Sequence, residues 1–223
     1  MNILNYEGFK VQSLSEIIEK QKEIMFAFEP NLKQRVEEFD IDIYEDQMLL
    51  KEFLLERVVE EITEAGAAIK ANHIEHFKEE LIDVFNFLLE TKIILGEKYK
   101  IDGDIVGNPV RDYLEKDWYM KDTPTDINKE ELDEEEIQFR LTHIYMKLFH
   151  LVENIGLLTN LLKQRPWRES QYPVDVLTFR ERWNDIWVNF WLSLSFIGFG
   201  FEEFKQIWSK KYQVNKFRID SNY

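Results

Sequence analysis

Long stretches of helical periodicity with few helix breakers most constrain how this chain folds. Only 8 glycines and 5 prolines occur in 223 residues, and apolar side chains recur at helical spacing over most of the chain. Such spacing gathers them on one face of an α-helix, and an alternating strand pattern is almost absent. The sequence predicts an all-α fold, a helical bundle forming one domain over residues 1–223.

The predicted helices cover seven stretches. Their ranges are 13–27, 45–71, 74–97, 109–118, 129–164, 175–198 and 201–214, with loops at 103–109, 122–126 and 164–173. The most apolar stretch, 187–201, is too short and too often interrupted by polar residues to span a membrane. The N-terminus has no signal-peptide pattern, so we expect a cytoplasmic protein that does not bind membranes.

Composition excludes several kinds of function. The chain has no cysteine, which excludes disulfides, thiolate metal sites and a catalytic thiol. A net charge of −15 argues against a nucleic-acid polymer as partner, because phosphate backbones are bound by Lys and Arg. A nucleotide remains compatible with this charge if metal ions neutralise its phosphates.

Two pairs of carboxylates stand at helical spacing. Glu61 and Glu64 are followed, after fifteen residues, by Glu80 and Asp83. Residues at i and i+3 share a helix face, so two adjacent helices would point all four carboxylates at one spot. Such a spot repels itself unless cations occupy it, and Mg²⁺ prefers oxygen ligands of this kind. The alternative is ordinary surface charge, but apolar residues flank both pairs, and carboxylates beside a core face seldom lack a partner.

An internal similarity relates the two halves of the chain. Residues 59–70 align with 152–163, and 77–83 with 179–185, which suggests a metal-binding repeat at about 45–97 and a degenerate copy at about 138–200. The second copy has Asn154, Leu157 and Arg182 at the first three acidic positions and keeps only Asp185. The alternative is a chance alignment of amphipathic helices.

The acidic pattern, written Glu60-Glu61-x-x-Glu64 and then Glu80-x-x-Asp83, resembles the all-α nucleoside triphosphate pyrophosphatases, the MazG-like superfamily. Within it, the C-terminal segment 208–223 resembles the closing motif of the dimeric dUTPases. The positions that match this motif are Lys211, Asn215, Arg218 and Tyr223. Gln21 stands where that family places a glutamine that reads the base.

Several positions depart from the dUTPase pattern and leave the choice of base open. Tyr212, Ile219 and Asn222 replace the Asn, Gln and Gly of the closing motif, and Asn86 stands where the family often has histidine. The aromatic and basic segment between the acidic motifs is missing. A similar run at 163–168 could lie over the nucleotide, or its Trp167 could be a packing anchor.

The chemistry and the resemblance together imply a Mg²⁺-dependent enzyme, with Mn²⁺ as an alternative ion, that converts dUTP to dUMP and pyrophosphate. Hydrolysis needs cations on the phosphates and a carboxylate that takes a proton from water. The implied base that activates water is Glu61 or Glu60, and the implied metal ligands are Glu61, Glu64, Glu80 and Asp83. Phosphates would be bound by Lys211, Arg218 and Lys70, and base and sugar by Gln21, Asn86 and Asn215.

Other substrates and another class of protein remain open, and the sequence also predicts an oligomeric state. The substrate could instead be dUDP, dCTP or a broader set of nucleotides. A rival of another class is a non-catalytic helical protein that binds nucleotides or regulates. The hydrophobic stretches 144–162 and 183–201 carry more aromatic surface than one small bundle needs, which predicts a homodimer.

Overall fold

The computed structural model describes residues 11–96, 99, 134–163, 167 and 172–221, and its regular elements there are helical. They are α1 (Leu14–Phe28), α2 (Leu32–Glu38), α3, α4 (Ile74–Leu95), α5 (Glu134–Thr159), α6 (Val176–Phe196) and α7 (Phe201–Asp220). The helix α3 is continuous and consists of Tyr44–Lys51, a π-helical stretch Glu52–Val58, and Val59–Lys70. The predicted all-α fold is confirmed.

Three features of these helices differ from the sequence prediction. The helix α2 was missed, because its seven residues bury a single apolar side chain, Leu32, and show no periodicity. The helix α5 ends at Thr159 rather than 164, where tight turns bond Leu161 N to Leu158 O and Leu162 N to Thr159 O. The helix α7 continues to Asp220 rather than 214. The predicted helix 109–118 and the loops 103–109 and 122–126 lie outside the described residues.

The hairpin of α3 and α4 organises the fold. Between Lys70 and Ile74 the chain reverses through a short turn in which Asn72 has a φ of 56°. Asparagine tolerates this left-handed conformation better than most residues. The helix α4 buries side chains on several faces and packs against α1, α2, α3 and α7. It is the central helix of the bundle, so polar groups on α4 are held among several neighbours.

An aromatic core joins α4 to α6 and α7. The ring of Phe85 lies 5.0 Å from that of Phe204 and 5.9 Å from those of Trp187 and Trp191, mostly edge to face. Trp183 and Phe190 are also buried in this cluster. These rings are buried within one chain and need no partner, whereas Met146, Phe149 and Leu157 on α5 are 51%, 66% and 40% exposed. The homodimer itself stays a prediction.

The helices α5 and α6 pack against each other, and α5 also contacts α3. At the positions aligned with the acidic cluster, Asn154 bonds to the backbone of His150, and Arg182 lies 3.6 Å from Asp185. The internal duplication stays a prediction. Among the described helices, none combines the length and the apolar character that crossing a membrane requires.

Candidate functional site

Three of the four predicted metal ligands meet between α3 and α4. One carboxylate oxygen each from Glu61, Glu64 and Glu80 lies within 4.8 Å of the other two. Glu64 is exposed, Glu61 is half-buried and Glu80 is buried, so the cluster opens to solvent on one side. The helical spacing of each pair and the antiparallel hairpin explain this convergence.

The fourth predicted ligand, Asp83, has a different partner. The Lys211 ammonium group on α7 donates a hydrogen bond to Asp83 Oδ2. The side chains of Lys211 and Asp83 are only 22% and 27% exposed, so water screens this ion pair little. Asp83 still acts on the cluster, because its charge helps to raise the pKa of Glu61.

Burial and repulsion raise the pKa values of Glu61 and Glu80. Burial is the largest cause that raises the pKa of Glu61 to about 8, followed by the charge of Asp83 and a hydrogen bond shared with Glu80. Burial also raises the pKa of Glu80, against the opposing charges of Lys211 and His76. His76 Nδ1 lies 3.0 Å from Glu80 Oε1. A positive charge among these carboxylates would favour their ionised forms.

A groove passes the cluster between α1, α4 and α7. It consists of two adjoining cavities of about 260 and 270 Å³, which share Asp83, Asn215 and Arg218 in their walls. The first, here called the basic cavity, is also lined by Glu79, Lys210, Lys211 and Val214. The second, here called the amide cavity, is also lined by Gln21, Ile24, Phe28, Glu61, Asn86, Phe87 and Glu90. Most of the predicted site residues therefore line these two adjoining cavities.

The basic wall of the groove is a helix. Lys211, Asn215 and Arg218 follow one another at i, i+4 and i+7 on α7, a spacing that keeps them on one face. Lys210 lies 3.1 Å from Glu79 of α4 and adds a further cation. The C-terminal motif is thus helical as far as Asp220.

The opposite wall carries a buried amide and a buried acid. Gln21 on α1 is only 4% exposed and Glu90 on α4 only 6%. Gln21 Nε2 donates a hydrogen bond of 2.8 Å to Glu90 Oε1. Burial raises the pKa of Glu90 to about 7, while Gln21 and Arg57 oppose the shift. Gln21 therefore faces the interior of the protein rather than solvent.

Asn86 links the groove to the core. Its Oδ1 accepts a hydrogen bond of 2.8 Å from Trp208 Nε1, and its side chain also bonds to Asp83, which helps to lower the pKa of that acid. Burial nevertheless leaves the pKa of Asp83 above its usual value. Asn86 thus joins α4 to α7 and holds Asp83, although it also lines the amide cavity.

Some predicted residues lie elsewhere. Glu60 is exposed and is not part of the cavity walls described above. Lys70 is exposed near the end of α3, with Nζ 5.9 Å from the centre of the Tyr145 ring. Trp167 is 75% exposed, which contradicts a buried anchor. Tyr223 lies outside the described residues.

Sequence reasoning missed two groups that the fold brings to the groove. Glu90 stands seven positions after Asp83 and four after Asn86, so a polar row along α4 was the available signal. Trp208 had no such signal, because its role depends on a contact with Asn86 across 122 positions of sequence.

No protein-family model, curated protein or solved structure matches this chain. The resemblance to dimeric dUTPases therefore rests on the motifs themselves and stays a prediction.

Proposed function

We propose that this protein is a divalent-cation-dependent pyrophosphohydrolase that converts a nucleoside triphosphate to its monophosphate, with dUTP as the first substrate to test and dCTP as the alternative. The observation that carries the proposal is the set of groups gathered at this groove. The acidic cluster includes Glu61 of the amide cavity, Lys211 and Arg218 line the basic cavity, and amides and apolar side chains line the amide cavity. These are the parts that phosphates, a metal and a base require.

The donor set of the cluster fits Mg²⁺, or Mn²⁺ in its place. Oxygen ligands of one Mg²⁺ lie about 2.1 Å from the ion and hence at most about 4.2 Å apart. The oxygens of Glu61, Glu64 and Glu80 lie within 4.8 Å of one another, so small side-chain rotations bring them to this distance. When bound, the ion would neutralise phosphate charge and favour ionised carboxylates.

Glu61 is the residue we assign as the general base. In its ionised form it accepts a proton from water as the water oxygen attacks the α-phosphorus. The bond from that phosphorus to the bridging oxygen breaks, and pyrophosphate leaves with the bond's electron pair. Glu61 suits this role better than Glu60, because Glu61 lines the amide cavity and Glu60 is exposed.

Lys211 and Arg218 would bind the departing phosphates. Both line the basic cavity, and a guanidinium group can contact two phosphate oxygens at once. Lys211 would exchange Asp83 for phosphate, which releases the Asp83 carboxylate toward the neighbouring cluster.

The test is pyrophosphate release from dUTP, dCTP, dTTP and UTP, with Mg²⁺ and with EDTA. We expect Mg²⁺-dependent release that Glu80→Gln reduces by at least about a thousandfold. The control is Glu153→Gln, at a position on α5 that is 51% exposed. Release from none of these nucleotides, or full activity of Glu80→Gln, contradicts the proposal.

A further inference from the structure

One part of the wall of the amide cavity is a hydrogen-bonded pair of buried side chains. Gln21 and Glu90 both line this cavity and are more than nine-tenths buried. One of the two N–H groups of the Gln21 amide donates to Glu90. As far as the described residues show, the amide's carbonyl oxygen and second N–H, together with the other lone pairs of Glu90, remain as hydrogen-bonding capacity in this part of the cavity wall.

Asn86 has less to offer a ligand. Its carbonyl oxygen accepts from Trp208, and its side chain is also bonded to Asp83. Of the three buried polar side chains in this wall, Gln21 and Glu90 are therefore the two best able to select a ligand.

The polarity of the groove sets the direction of a nucleotide in it, if the proposed function holds. Phosphates belong beside Lys211 and Arg218 in the basic cavity. The base then extends into the amide cavity, where Ile24, Phe28 and Phe87 supply apolar surface. Its hydrogen-bonding edge would meet the pair of Gln21 and Glu90.

We infer that Glu90 is a specificity-determining residue. Its carboxylate makes the cavity favour cytosine, which has an amino group, over uracil, which has a carbonyl oxygen at the same ring position. A carboxylate accepts hydrogen bonds from the amino group of cytosine, whereas the corresponding oxygen of uracil is itself an acceptor and is repelled. A protonated Glu90 reverses the preference, because its O–H donates to the uracil oxygen. Gln21 serves either base, since an amide both donates and accepts.

Burial and the charges around Glu90 set the pH at which this preference for one base changes. Arg57 on α3 favours the carboxylate and Glu29, after α1, disfavours it, while burial is the largest influence on the pKa of Glu90, about 7. Between about pH 6 and pH 8 the ionised fraction then rises from about 10% to about 90%. Selection for the amino-bearing base should rise over the same interval.

The experiment compares kcat/KM for dCTP and dUTP at about pH 6 and pH 8. In the wild type we expect the ratio of dCTP to dUTP to rise by up to about tenfold. In Glu90→Gln, whose amide can donate to the uracil oxygen, we expect a ratio that does not change with pH and is about tenfold lower at pH 8. Glu90→Asp keeps the carboxylate and should retain the pH dependence.

The same selectivity can be read without turnover from the Kd of dCMP and dUMP, measured by calorimetry in the same variants. This readout separates the two proposals, because an absence of hydrolysis contradicts only the pyrophosphohydrolase. Glu153→Gln is the control and should behave as wild type. A ratio that is the same in wild type and Glu90→Gln at pH 8, in turnover or in binding, overturns the inference about Glu90.

Discussion

Lys211 donates a hydrogen bond to Asp83 across the contact between α7 and α4. The ammonium group therefore stands where a metal ion would act on the same carboxylate, beside the cluster of Glu61, Glu64 and Glu80. Both partners are largely buried, so their attraction is strong compared with that of a surface ion pair. Metal binding and the position of Lys211 should consequently depend on each other.

Lys211→Met should separate these two roles. Removing the ammonium group leaves Asp83 without its competing cation, so we expect Mg²⁺ to bind about three- to tenfold more tightly. The same change removes a proposed phosphate ligand and should lower kcat/KM by about a hundredfold or more. Calorimetric titration with Mg²⁺ and steady-state kinetics measure the two effects.

Lys210→Met is the matched control for Lys211→Met. Lys210 is 67% exposed and pairs with Glu79 rather than with Asp83. Its removal should change Mg²⁺ affinity by less than about twofold. Weaker Mg²⁺ binding in Lys211→Met would show that the ammonium group does not compete with the metal.

Trp208→Phe tests whether the hydrogen bond to Asn86 supports the proposed metal site. The substitution leaves Asn86 Oδ1 buried without its donor, which should cost about 1–3 kcal/mol of unfolding free energy. Asn86 would then hold Asp83 less firmly, and we expect Mg²⁺ affinity to fall several-fold. Urea unfolding and Mg²⁺ titration are the measurements.

Trp187→Phe provides the comparison for Trp208→Phe. Both indoles are 1% exposed, but Trp187 Nε1 has no hydrogen-bond partner among the described residues. Trp187→Phe removes the same atoms without removing a hydrogen bond, so it should lower stability and leave Mg²⁺ affinity unchanged. Equal loss of Mg²⁺ affinity in both variants would argue against a positioning role for Asn86.

Glu90→Gln should change the pH dependence of stability. The pKa of Glu90 rises from 4.5 to about 7 on folding, so between these values the folded state binds more protons than the unfolded chain. Its contribution to the unfolding free energy therefore falls as the pH rises from about 4.5 to about 7. The Gln side chain stays neutral and still accepts from Gln21.

We expect Glu90→Gln to match wild type near about pH 5 and to exceed it by about 1–3 kcal/mol near about pH 8. Denaturant unfolding at the two pH values measures the difference. If the two proteins differ in unfolding free energy by the same amount at both pH values, Glu90 is ionised at both pH values in the folded protein.

Most helices could be predicted because their apolar residues repeat along the chain. The prediction failed at α2, where seven residues bury only Leu32, and at the end of α7, which continues to Asp220 rather than ending at 214. In α7 the missing signal was packing rather than periodicity. Trp208 and Phe204 anchor the helix in the core, and its polar last turns continue from that anchor.

The candidate site could be predicted as far as spacing within single helices allows. Glu61 and Glu64 share a face by local geometry, and so do Lys211, Asn215 and Arg218. The pairs of Gln21 with Glu90 and of Lys211 with Asp83 join residues 69 and 128 positions apart. Such contacts depend on how helices pack, and neither composition nor spacing specifies that packing.

Arg218→Ala tests the basic wall of the groove. Arg218 lines both cavities, and its guanidinium group is the one that can contact two phosphate oxygens from α7. We expect its removal to lower kcat/KM by about a hundredfold while the circular dichroism spectrum stays unchanged. Lys216→Ala is the control, because Lys216 is 53% exposed and pairs with Asp220, outside both cavities. Its kcat/KM should stay within about twofold of wild type. Equal losses in the two variants would indicate that the general charge of α7, rather than this face, attracts the substrate.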